Sequence, residues 1–227
     1  MNILNRIRPH LLRVKTPAQY MGGEVNAIAK DWRKDRVRFA LCFPDTYAIG
    51  MSNQGFRILY HLLNEKHHDI LCERAFAPWF DMEAVLRENN IPLYSLENYR
   101  GLADFDVLGF SLQNETSYTN LLNMLDLAGI PVRAADRDRS AGVPFIIAGG
   151  TGALTPEPLA DFVDVFLPGE GEEVLPAFLH LVGVWRGRLD PRMLEQYRPR
   201  AVDAKDVYAE RPFQMRFAWL PQDLGAI

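Results

Sequence analysis

Four short stretches of this chain combine glycine with polar or acidic residues in the way a bound ligand requires. They are Asp45-Thr46-Tyr47-Ala48-Ile49-Gly50, Ser111-Leu112-Gln113-Asn114-Glu115, Gly149-Gly150-Thr151-Gly152 and Gly169-Glu170-Gly171-Glu172. Glycine lets a ligand approach the main chain without a Cβ in the way, and the hydroxyls, amides and carboxylates supply orienting hydrogen bonds. A glycine after a strand is in most proteins a plain turn, so no single stretch identifies a site. The set does, if the fold brings the four together. Other chemistries have less behind them. Ser52 or Ser111 as a nucleophile needs a histidine in reach. His61, His67 and His68 read as solvated surface, and Asp161 and Asp164 fit a helix end and a strand start as well as an acid–base pair. Glu115, just beyond Ser111, suits a pocket or a cap equally. Cys42 and Cys72, the only cysteines, lie in apolar runs and read as buried free thiols. Two cysteines supply neither a CxxC nor a four-ligand metal site, so no metal ligands are assigned.

The elements that must position these loops follow from apolar periodicity. Val37 to Phe43 is a nearly unbroken apolar run of the kind a strand covered on both faces needs. Pro44 ends it, and Phe56, Leu59, Tyr60 and Leu63 follow at helical spacing. Ile70–Phe76, Asp106–Leu112, Pro144–Ala148 and Val163–Leu167 repeat the strand pattern. Helices are expected at Asp81–Leu86, at Tyr118–Leu125 and after Gly171, the last turning Val174, Phe178, Leu181, Val182 and Trp185 inward. Pro92–Leu96 reads as a short peripheral strand because it opens with proline. Strand and helix alternate, which predicts a doubly wound parallel α/β sheet of five or six strands, flavodoxin-like or Rossmann-like. The strand at Val37 is expected at its centre, between those at Ile70 and Asp106. In such sheets the loops after the strands share the carboxyl edge, where ligands bind.

Length and composition set the remaining bounds. The chain has 227 residues, 48% hydrophobic and 24% charged, with net charge −4, as expected of one α/β domain with extensions. Residues 1–36 form a basic N-terminal extension, 37–187 the α/β domain, and 188–227 a Pro/Arg-rich linker or the start of another domain. Residues 1–38 carry nine Lys/Arg against three Asp/Glu, about +6, leaving about −10 elsewhere. The basic residues are interrupted and lack interleaved aromatics, which speaks for a solvated or partner-packing arm over a nucleic-acid-binding one. No apolar run is long enough to span a bilayer and the N-terminus lacks a signal-peptide core, so a cytoplasmic protein without membrane contact is expected.

The ordered set of D-x-Y-x-x-G at Asp45–Gly50, Ser111 at a strand end and Gly149-Gly150 resembles the cobalamin-binding signature D-x-H-x-x-G, S-x-L, GG. FPDTYAIGMSNQGFRILYHLLN, ERAFAPWFDMEAVLRE, FSLQNETSYTNLLNMLDLAGIP and PEPLADFVDVFLPGEGEE are together similar to one uncharacterised subfamily of B12-binding-type radical SAM proteins, over about residues 15–185. The resemblance implies a cobalamin-like ligand at the carboxyl edge. Asp45 and Gly50 would shape the first loop, Ser111 would face the nucleotide tail, and Gly149 and Gly150 would let that tail pass close to the backbone. Thr46, Tyr47, Gln113, Glu115, Gly169, Glu170 and Gly171 complete the expected cofactor-binding set.

The sequence departs from that pattern in three places. Tyr47 replaces the histidine that can ligate cobalt, and a neutral phenol is a poor ligand. Gln113 replaces the leucine of S-x-L. The C-x3-C-x2-C triad that holds an iron–sulfur cluster is absent, so the [4Fe-4S] cluster and SAM are expected only in a separate core, on the same or an adjacent chain. The expected function is placement of cofactor or substrate against that core, with no catalytic residue and no competence alone. A cobalamin without a protein ligand, or a domain that has lost it, both meet these departures. A flavin- or nucleotide-binding flavodoxin-like module, or a degenerate interaction domain, is the alternative.

Overall fold

A computed structural model describes residues 3–138 and 141–197. Its centre is a five-stranded, all-parallel sheet in the order β2-β1-β3-β4-β5, with β1 at Val37–Phe43, β2 at Ile70–Phe76, β3 at Val107–Ser111, β4 at Phe145–Gly149 and β5 at Val165–Leu167. This is the doubly wound, flavodoxin-like order, and β1 lies between β2 and β3 as its apolar run demands. Phe39, Ala40 and Cys42 are fully buried. Among the described residues six α-helices accompany the sheet: α1 (Ile3–Ile7), α2 (Tyr47–Ser52), α3 (Gln54–Lys66), α4 (Phe80–Glu88), α5 (Tyr118–Leu127) and α6 (Gly171–Trp185). Pro92–Leu96 stays outside the sheet, with one antiparallel bridge between Tyr94 and Gly101. Cys42 and Cys72 are buried free thiols. No helix among the described residues is long and apolar enough to cross a membrane.

One helix face differs from its expectation. α6 buries Leu175, Leu179, His180, Val182 and Gly183, whereas Val174, Phe178, Leu181 and Trp185 are only half-buried. Packing geometry decides this. A Cβ on Gly183 would stand 2.5 Å from Val37 Cγ2, so the helix seats its glycine on the start of β1 and the neighbouring large residues roll aside.

The edge strand β2 is closed by side chains and by loop backbone. Asn64 of α3 bonds both main-chain groups of Cys72, Nδ2 donating to the carbonyl (3.0 Å) and Oδ1 accepting from the amide (3.3 Å). The Arg74 amide donates to Glu97 (2.8 Å), and the Leu96 amide donates to the Arg74 carbonyl (2.9 Å). An edge treated this way has no free ladder to offer another chain. The basic N-terminal arm packs along the same side. Lys30 Nζ donates to the carbonyls of His67 (2.7 Å) and Ile70 (2.6 Å), and the Ile28 amide donates to Tyr60 Oη (2.7 Å). Arg6 donates to the carbonyls of Asn89 and Asn90. Ile7 and Val14 enter the core.

Candidate functional site

The parallel ladder places the expected loops at one edge. Ser111 pairs with Gly149 and Gly149 with Leu167 in register, so the loops after β3, β4 and β5 leave the sheet at one level. Those after β3 and β4 are knitted together. Gln113 Nε2 donates to Ser111 Oγ (3.0 Å), Thr151 Oγ1 donates to the Gln113 carbonyl (2.8 Å), and the Gly152 amide donates to the Leu112 carbonyl (3.0 Å). Tyr118 Oη, at the start of α5, donates to the Gly152 carbonyl (2.8 Å). Gly150 is held at φ +90°, and a Cβ there would stand 2.4 Å from the Leu112 carbonyl oxygen. Its glycine is required by a chain-to-chain approach.

The first loop takes a different course. Tyr47 packs edge-on against Phe76 at 5.3 Å, and its hydroxyl donates to Glu24 Oε1 at 2.7 Å. Gly50 is buried because the Phe76 ring occupies the place of its Cβ, at 2.4 Å. Asp45 Oδ1 accepts from the Thr46 amide (2.6 Å). Gly169 and Glu170 are exposed, Glu170 standing at the start of α6 with no side-chain cap. A Cβ on Gly171 would meet Leu59 of α3 at 3.3 Å. Glu115 is exposed in the turn before α5. The edge therefore brings Ser111, Gln113, Gly149 and Gly150 together and turns Tyr47 away toward β2.

Where Tyr47 points, a buried polar network gathers that the sequence did not reveal. Arg74 Nε donates to Glu97 (2.6 Å), and Nη2 and Nη1 donate to the two oxygens of Glu24 (2.9 and 3.2 Å). The guanidinium lies 4.8 Å over the Tyr60 ring, and the Glu97 side chain is wholly buried. Burial opposes the Arg74 charge, but the two carboxylates outweigh it and hold the pKa above the ordinary arginine value. For Glu24, burial is overridden by the hydrogen bonds from Arg74 and Tyr47, and its pKa is lowered. Burial, then the Glu24 carboxylate, push the Tyr47 phenol up to about 12. The signal that could have found this network is Glu73-Arg74 inside an apolar strand run, since charges on a buried strand must be paired.

These positions test the groups a sheet edge of this kind could hold. At the position of the cobalt-ligating histidine in the resemblance stands a phenol committed to Glu24, and a Cβ at Gly50 or Gly150 would meet the Phe76 ring or the Leu112 backbone. A flavin phosphate would use the start of α3, where Asn53 Oδ1 already accepts from the Phe56 amide (2.8 Å). Ser111 Oγ meets Gln113, and Ser52 Oγ donates to the Ile49 carbonyl, so neither serine has a histidine partner among the described residues. Asp164 serves a strand start, Oδ2 accepting from the Ile146 amide (2.7 Å). Asp161 is exposed near Arg133.

The same edge carries an apolar group. Ile49 after β1, Trp79 and Phe80 after β2, and Leu154 after β4 are all exposed, Phe80 by 76% and Leu154 by 66%. Trp79 and Phe80 lean on each other at 4.9 Å.

Comparison with known proteins gives two findings. A family described as "Radical SAM proteins, N-terminal" matches residues 55–212. Uncharacterized protein MJ0966 of Methanocaldococcus jannaschii is 26% identical over 180 residues, 76% of this chain and 34% of that protein. The chain thus spans about a third of the length of the curated relative it matches.

Proposed function

Because the chain belongs to the family of radical SAM protein N-terminal domains, we propose that it is an accessory domain that docks by its carboxyl edge onto a radical SAM core. It would there place substrate or cofactor for chemistry that the core's cluster and SAM supply. The observation that carries this reading is the exposed set Ile49, Trp79, Phe80 and Leu154, carried by the three segments that follow β1, β2 and β4 at one sheet edge. Large aromatics standing exposed together on rigid loops are the usual anchors of a protein interface. The opposite edge of the sheet is occupied by charged residues such as Asp106 and Arg188, which bond at 2.6 Å.

The test is co-expression with the radical SAM core encoded in the same or an adjacent frame. Trp79→Asp with Phe80→Asp should abolish co-purification without lowering Tm, while Leu12→Asp, at an exposed position on the N-terminal arm, should leave it intact. Association that survives the first pair would overturn the reading. A cobalamin-bearing form of it requires the Leu112 backbone to leave Gly150. Titration with cobalamin, followed by the corrin absorbance, would support that form only if a saturable shift is lost in Ser111→Trp.

A further inference from the structure

At the amino edge of the sheet, opposite the loops described above, three potential ligands converge. His67 and Asp69 sit in the turn between α3 and β2, and His180 projects from the buried face of α6. One ligand atom from each lies within 4.8 Å of the others. His180 is 1% exposed, and the His67 and His180 rings stand 5.4 Å apart. His180 Nε2 is 2.7 Å from Asp69 Oδ2. On the far side of the ring, Nδ1 meets Tyr197 Oη at 2.5 Å.

We propose that His67, Asp69 and His180 form a binding site for a divalent transition-metal ion, zinc by its donor set, with the fourth position open to water. Two imidazoles and one carboxylate are the ligand types of open zinc sites. Tyr197 supplies the orienting contact such histidines use. With Nδ1 engaged by Tyr197, Nε2 is the ring atom that faces the Asp69 carboxylate, and a cation between the two would be held by both. Zinc ligands at about 2.0–2.1 Å in a tetrahedron stand about 3.3 Å apart. The Asp69–His180 contact therefore has to open by a few tenths of an ångström, within the reach of a rotamer adjustment, while half-exposed His67 swings in from the turn. Lys30 Nζ donates to the His67 and Ile70 carbonyls, which helps to fix this turn. The bound ion would clip α6 and the segment at Tyr197 to the β2 turn.

The experiment takes the full chain after chelator treatment and titrates it with Zn²⁺, Co²⁺ and Mg²⁺. One equivalent of Zn²⁺ should bind and raise Tm by several degrees, Co²⁺ should give the visible bands of a four-coordinate site, and Mg²⁺ should do neither. His67→Ala and Asp69→Asn should keep the metal-free Tm within about two degrees and weaken Zn²⁺ at least tenfold, while His61→Ala binds as the parent does. Absence of Co²⁺ bands and of any Zn²⁺-dependent Tm shift would overturn the site. So would unchanged affinity in His67→Ala.

Discussion

Tyr47 Oη donates to Glu24 across 2.7 Å, which joins the first loop of the sheet to the basic N-terminal arm 23 residues earlier. The bond decides what this loop can do. A side chain at the position of a possible cobalt ligand is instead one arm of the Arg74 network, and the arm itself becomes part of the fold.

The network should behave as a unit. Arg74→Ala leaves Glu97 buried without its cation and should cost about 3–5 kcal/mol. Tyr47→Phe removes one hydrogen bond to a charged group and should cost about 1.5–3 kcal/mol. Urea denaturation of the two single variants and the double should be non-additive, because both act on Glu24.

The glycines should separate by what occupies their missing Cβ. Gly150→Ala meets the Leu112 carbonyl at 2.4 Å and also forces a non-glycine residue to φ +90°. Overpacking and backbone strain together predict a loss of about 2–5 kcal/mol. Gly169→Ala has φ +107° but nothing within 4 Å, so it should lose only the strain, about 1–3 kcal/mol. Thermal unfolding of the pair gives the ranking.

Glu73 sets a pH dependence. It is fully buried and accepts only from neutral donors, Ser95 Oγ (2.5 Å), the Asn98 amide (3.2 Å) and Asn98 Nδ2 (2.6 Å). Burial, only partly countered by these bonds, raises its pKa above the ordinary 4.5. The folded state therefore holds its proton over a window where the unfolded chain has released it. Its stabilising contribution is complete below pH 4.5 and is lost as pH rises through the folded-state pKa. Tm of Glu73→Gln minus Tm of the parent should increase from pH 4.5 to pH 8, and a flat difference would show the carboxyl to be unperturbed.

Edge closure should be measurable at Asn64. Asn64→Ala strands the Cys72 amide and carbonyl inside the protein, and each buried unsatisfied group costs about 1–3 kcal/mol. Equilibrium unfolding should show a loss of at least 2 kcal/mol, and Asn64→Asp should not recover it, because its second carboxylate oxygen would face the Cys72 carbonyl as a buried charge.

What the sequence determined by itself was the sheet. Apolar runs such as Val37–Phe43, alternating with helical stripes such as Phe56, Tyr60 and Leu63, admit few arrangements, because connection rules leave a parallel order with β1 inside. The edge carrying the four loops follows from that order alone. The direction of each side chain on the edge did not, because it depends on partners distant in the chain. Tyr47 turns toward Glu24 and Arg74, Gly50 makes room for Phe76, and Gly150 makes room for Leu112. The inward face of α6 was likewise set by Gly183 on Val37, a contact between residues 146 positions apart. His67 could be read only as a surface histidine, because the residues that give it meaning, Asp69 and His180, belong to one place only after α6 has packed across the amino end of β1. Local pattern fixes elements and their alternation, whereas a site is made of non-local pairs, and those are decided by packing.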